Sequence, residues 1–192
     1  MRLLVFGDSI AYGAWDSEGG WVDRLKREAH KRTLESEGAT KLQIVNLSIG
    51  SDTSTKVLKR MKAEIEARQS APWPFIFVFA FGCNDERTGN GEIETPKEIF
   101  EENVRQIINL AKMYSDKILF IGITPLAQSI IQFKSNEYSD ERIKEYDSCM
   151  KRIVEDAAAD YLPIRPSFES AESDSLYSYD GIHPNDDGHK LI

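Results

Sequence analysis

Five short runs rich in Val, Ile, Leu and Phe recur along the chain, at residues 2–7, 42–47, 75–81, 117–123 and 161–164. Several lack strict polar alternation, as expected of strands covered on both faces. Between the runs, apolar residues repeat with a helical period. Trp21, Val22, Leu25 and Ala29 share one face, and Val57, Met61 and Ile65 share another. Ile99, Phe100, Val104, Ile107, Ile108 and Ala111 make a third face, with Thr95 and Pro96 placed as cap and first turn. Ile143, Met150, Ile153, Val154 and Ala157 make a fourth. Strand and helix alternating in this way, joined by right-handed crossovers, predict an α/β fold. The expected form is a three-layer α/β/α sandwich around a five-stranded parallel sheet of flavodoxin-like order. No repeat or low-complexity segment interrupts the pattern, so residues 1–192 are expected to form a single domain with one well-buried core.

Charge and cysteine content exclude some functions. The net charge is −8, with Lys and Arg mixed among the acids, so there is no basic footprint for nucleic acid or an anionic membrane. No apolar run approaches the roughly 20 residues of a membrane span. The first strand is reached by Leu3 without a charged segment and a long apolar stretch before it. A soluble, cytoplasmic protein is the expectation, with a removed signal peptide left open. Cys83 and Cys149 lie far apart without metal-ligand spacing and read as reduced thiols. A homo-oligomer is neither indicated nor excluded.

In such a sheet, sites form beyond the carboxyl ends of the strands. Four segments there carry unusual residues: Gly7-Asp8-Ser9-Ile10, Asn46-Leu47-Ser48-Ile49-Gly50, Gly82-Cys83-Asn84-Asp85 and Asp180-Gly181-Ile182-His183-Pro184. Alone, each is a common loop device, because glycine supplies positive φ and Asn or Asp bonds its own backbone. Acyl transfer gives all four a reason. It needs a hydroxyl nucleophile, an imidazole to take its proton and a carboxylate to fix the imidazole's tautomer. It also needs donors aimed at the developing oxyanion. Ser9 can be the nucleophile, and Asp180 lies three residues before His183, close enough to reach Nδ1. The N–H groups of Ser9 and Gly50 and the carboxamide of Asn84 could form an oxyanion hole.

With these blocks in order from Gly7 to Pro184, the chain resembles the GDSL or SGNH hydrolases, whose name records the Ser, Gly, Asn and His of four such blocks. The resemblance implies Ser9 as nucleophile, Gly50 and Asn84 as oxyanion donors, His183 as base and Asp180 as its orienter. It implies the flavodoxin-like sheet, a serine esterase of the GDSL lipase/acylhydrolase type, and no cofactor or metal. Ile10 stands where the family's name has leucine and keeps an apolar side chain beneath the turn. Esterases, lysophospholipases, thioesterases and sugar-ester deacetylases share these blocks and differ in their loops. A small soluble ester is the expected substrate.

Other residues compete for attention. Ser9 also reads as a helix-capping serine. His30 reads as a solvated face residue, and His189, beside Asp186 and Asp187, as a weak rival base. Asp8 and Asp85 read as braces for their turns, and Cys83 as a small buried filler. Trp15 and Trp21 flank Gly19-Gly20, and Phe168, Tyr177 and Tyr179 precede Asp180; these aromatics suit a pocket rim or simple loop packing. Residues 125–138, containing Ser-Ile-Ile-Gln-Phe, are open between a lid, an acyl-chain wall and a subunit contact. Thr88–Glu92 reads as a mobile turn rather than a phosphate cradle. A flavodoxin-like binding module is the alternative from another class, but the chain lacks the glycine-rich phosphate fingerprints, and Asp180-x-x-His183 would have no task. A carbohydrate-binding relative that has lost catalysis is a third reading. The Gly-x-Ser-x-Gly pentapeptide of α/β-hydrolases is absent.

Overall fold

The computed structural model describes residues 1–69, 73–129, 136–171 and 173–192. In chain order the first elements are β1 (Arg2–Gly7), α1 (Ser9–Tyr12), α2 (Gly20–Glu35), β2 (Gln43–Asn46), α3 (Ser54–Glu66) and β3 (Phe75–Ala80). Then come β4 (Thr88–Gly89), β5 (Glu92–Ile93), α4 (Lys97–Lys112), β6 (Ile118–Ile121) and β7 (Asn136–Glu137). The chain continues through α5 (Asp140–Asp156), β8 (Asp160–Leu162), α6 (Arg165–Glu169), a 3₁₀ turn (Ser173–Leu176) and α7 (Asp186–Leu191).

Five strands form one parallel sheet in the order β2-β1-β3-β6-β8, the flavodoxin-like order read from the sequence. Leu4 pairs with Val45 and Phe77, and Phe79 with Phe120, so the largest side chains fall in register. Side chains alternate across the pleat. Leu4, Phe6, Phe75, Phe77, Phe79, Phe81 and Phe120 face α3, α4 and α5, and Phe79 and Phe120 have ring centroids 4.7 Å apart. Leu3, Val5, Val78 and Ile121 face the other way, against Trp21, Val22 and Ala29 of α2. Each fully buried Phe contributes about 1.5–3 kcal/mol over exposure, so the aromatic face fixes which side takes three helices.

The structure refines several boundaries. The last sheet strand is Asp160–Leu162 rather than 161–164, because the chain turns into α6 at Ile164. Helix α4 starts one residue late, with Pro96 itself at the N-cap; the Thr95 N–H is held by the Asp85 carbonyl at 3.0 Å. Leu25 and Ile99 lie at the edges of their helical stripes and are exposed rather than buried. Thr88–Glu92 is not a free turn. Asn90 and Gly91, both at positive φ, close the hairpin between β4 and β5, which pairs with β7 in a small antiparallel sheet. No helix among the described residues is long and apolar enough to cross a membrane.

Candidate active site

The crevice lies where the strand order reverses, between β1 and β3, whose ends pair through Gly7 and Ala80. After Gly7, Asp8 is extended and caps α1 by accepting the Ile10 N–H at 2.9 Å. The cap is therefore Asp8 and not Ser9. Ser9 is the first helical residue, so its hydroxyl is spared for other contacts. Gly7 is required by close approach: a Cβ there would lie 2.5 Å from the Ala11 Cβ and 2.6 Å from the Ala80 carbonyl oxygen.

Three of the expected residues meet directly. The His183 Nε2 lies 2.8 Å from the Ser9 Oγ, and its Nδ1 lies 2.7 Å from the Asp180 Oδ2. Asp180 is buried, while its Oδ1 accepts the N–H groups of Ile182 and His183, each at 3.0 Å. Burial opposes the charge most strongly, but those two N–H groups and the imidazole outweigh it and hold the carboxyl below its ordinary value.

The loops that carry Gly50 and Asn84 are tied to the Gly7–Ala11 turn by a chain of bonds. The Asn46 carboxamide donates to the Ala11 carbonyl at 2.9 Å, and the Ile49 N–H donates to the Gly7 carbonyl at 3.1 Å. The Asp52 N–H bonds the Ile49 carbonyl, and the Asn84 Nδ2 donates to the Asp52 carbonyl at 3.1 Å. One hydrogen of the buried Asn84 carboxamide is thereby committed, which orients the other. Gly50 is exposed, and a Cβ built on it meets nothing within 4 Å. Its glycine leaves open space rather than relieving a clash.

Carboxylates brace these loops from below. Asp85 accepts from the Ser54 N–H at 3.0 Å and the Ser54 hydroxyl at 2.6 Å, pinning the start of α3 to the Asn84 loop. Burial pushes Asp8 up to about 7 against the opposing Ile10 N–H, and pushes Asp85 up to about 7 against the Ser54 bonds. Glu86, buried and 2.9 Å from Arg142, is likewise pushed up to about 7 by burial.

The rival residues fall away. His30 is exposed, as expected. His189 is buried and packs near Gly20 rather than joining Ser9; burial lowers its affinity for a proton. Cys83 is buried and its thiol is pushed up, mainly by burial, so it is no nucleophile. Trp21, Phe168 and Tyr177 lie in the core, not on a rim. Trp15 and Tyr179 are exposed and stand together, ring centroids 5.9 Å apart. Trp15 also makes a contact the sequence did not signal: its Nε1–H donates to the Asp180 Oδ2 at 3.2 Å. Within residues 125–138, the Ile130–Phe133 core of the lid, wall or contact reading lies outside the described residues.

The model of the GDSL-like Lipase/Acylhydrolase family matches residues 5–191. The isoamyl acetate-hydrolyzing esterase of Saccharomyces cerevisiae is 22% identical over 200 residues, covering 100% of this chain and 82% of the yeast protein. The lipase/acylhydrolase from Enterococcus faecalis has a similar structure, with a TM-score of 0.73, 23% identity, and coverage of 100% of this chain and 91% of that one. An acetylxylan esterase from Geobacillus stearothermophilus gives a TM-score of 0.74 at 17% identity, covering 99% and 89%.

Proposed function

We propose that this chain, which belongs to the GDSL-like lipase/acylhydrolase family of carboxylic ester hydrolases, cleaves small soluble esters or thioesters through an acyl-enzyme on Ser9. The observation that carries the reading is the continuous Ser9–His183–Asp180 contact, at 2.8 and 2.7 Å. His183 Nε2 takes the Ser9 proton as Oγ attacks the acyl carbonyl. The carbonyl oxygen becomes an oxyanion, held by the N–H groups of Ser9 and Gly50 and the free carboxamide hydrogen of Asn84. As the tetrahedral intermediate collapses, the imidazolium returns its proton to the departing alcohol or thiol. Water, deprotonated by His183, then attacks the acyl-serine, and the second collapse releases the acid and restores the Ser9 hydroxyl. Asp180 keeps the Nδ1 proton in place, so Nε2 is the nitrogen free to accept.

Support for a small substrate comes from the yeast relative, named for isoamyl acetate. The test is a panel of p-nitrophenyl esters from acetyl to palmitoyl, with acetylated sugars and acyl-CoA, run on the native protein and on Ser9→Ala. A steep fall beyond short chains, and loss of all turnover in a folded Ser9→Ala, are expected. Full activity in Ser9→Ala would end the acyl-enzyme reading. Rates that rise toward palmitoyl would end the small-substrate reading.

A further inference from the structure

The loop between α1 and α2 holds a tryptophan in a place that packing does not explain. Trp15 is 56% exposed, and its backbone is left-handed at φ 66, a conformation a bulky side chain adopts only when its surroundings impose it. Several contacts do so. The Ala14 N–H bonds the Ser9 carbonyl at 3.0 Å, Asp16 pairs with Arg24 at 2.6 Å, and the Ser17 N–H bonds Asp186 of α7 at 2.8 Å. The result is an indole edge-on to His183, with centroids 6.0 Å apart, and an Nε1–H on the Asp180 Oδ2.

We propose that Trp15 is a positioning residue of this site, fixing the plane of the Asp180 carboxylate and sharing the charge of the oxygen that faces His183. The proposal rests on the Ser9–His183–Asp180 reading above. With the indole in place, all four bonds of the carboxylate are used: Oδ1 holds Ile182 and His183 N–H, and Oδ2 holds the imidazole and the indole. Because the indole is neutral, it orients the carboxylate without cancelling the negative charge that stabilises the imidazolium. Removing the donor concentrates the carboxylate's charge on the oxygen that faces the imidazole, which favours the imidazolium. The remaining groups around the ring stay constant in the comparison. They are Asp180 on its own loop, Ser9 on α1, Asp16 turned to Arg24 on α2, and the buried His189 on α7.

The test is Trp15→Phe, which keeps an aromatic ring and deletes the N–H, with Trp15→Leu as a second variant. Rates of p-nitrophenyl acetate hydrolysis are followed between about pH 5 and 9. In both variants the acid limb of kcat/KM is expected to move upward, with plateau kcat lowered about 3–10-fold and KM held. An unmoved acid limb overturns the proposal. A loss confined to KM also overturns it, because Trp15 would then be a wall of the substrate pocket. Ser9→Ala separates the two levels of argument. If it is inactive while the Trp15 variants keep the native acid limb, only the role of Trp15 fails. If it remains active, the reading of the site itself fails.

Discussion

Replacing Asp180 by Asn tests the geometry most sharply, because the substitution keeps the shape and reverses the polarity of the two contacts made by Oδ2. The carboxylate divides its work. Oδ1 accepts the Ile182 and His183 N–H groups at 3.0 Å each, and Oδ2 accepts His183 Nδ1 at 2.7 Å and the Trp15 indole at 3.2 Å. An asparagine carbonyl placed at Oδ1 preserves the turn but turns an NH₂ group toward Nδ1 and the indole. The opposite orientation sets NH₂ against two backbone donors, which is worse by one unsatisfied pair, at about 1–3 kcal/mol for each buried group left unpaired. The first orientation therefore prevails, and it makes Nδ1 the acceptor. The proton then sits on Nε2, which faces the Ser9 Oγ at 2.8 Å and can no longer take the serine's proton. The expected loss in kcat is about 10³–10⁴-fold, or about 4–5.5 kcal/mol of barrier. Steady-state hydrolysis of p-nitrophenyl acetate measures it, with thermal unfolding as the check that the turn survives. An Asp180→Asn protein that melts near the native temperature and keeps activity within tenfold would refute the tautomer argument.

Two further perturbations address other parts of the site. Asn84→Ala removes the carboxamide that Asp52 orients at 3.1 Å, and kcat should fall about 10²–10³-fold with KM little changed; an unaffected kcat would place the oxyanion elsewhere. Asp8→Asn keeps the cap on Ile10 and removes a carboxyl that burial has pushed from 3.8 to about 7. Below the ordinary value the acid is protonated folded and unfolded, so burial carries no penalty. Above it the unfolded chain ionises while the folded one retains its proton, so stability drains away as pH rises toward 7, at up to about 1.4 kcal/mol per pH unit. Denaturant titrations at successive pH values should show the native protein losing ground to Asp8→Asn between pH 4 and 7; parallel curves would contradict the burial argument.

Much of the fold was legible because its determinants are periodic. The alternation in Phe75-Ile76-Phe77-Val78-Phe79-Ala80 separates two covered faces, and the helical stripes name the residues that cover them. What escaped has no period to read. Two-residue strands such as Thr88–Gly89 and Asn136–Glu137 pair across 46 intervening positions in the register Thr88↔Glu137 and Gly89↔Asn136, and no local pattern announces them. At the site, Ser9, His183 and Asp180 were legible because each belongs to a compact block whose spacing carries chemistry. Trp15 was not, since its partner lies 165 residues away and its backbone conformation is set by Asp16 and Ser17 contacts, not by its own type. The aromatics near Asp180 share no period that sorts them, and only the fold separates Phe168 and Tyr177, which are core, from Tyr179, which is exposed.

The blocks share a physical device that explains why Asp and Asn recur where strands end. Asp8 accepts from the N–H two residues on, at Ile10; Asn46 does so from Ser48, and Asp180 from Ile182. Each side chain replaces a backbone acceptor and folds the chain sharply as it leaves the sheet or approaches the site. Such turns place Ser9, Gly50 and His183 without any of them having to stabilise its own loop. Asn46 also uses its carboxamide nitrogen to hold the Ala11 carbonyl of α1, and Asp8 caps the same helix. Asp180 alone has its second oxygen turned outward to an imidazole. The same side-chain turn, made by Asp or Asn at three positions, thus gives two braces and one orienter, and what separates them is the direction in which the second atom of the side chain points.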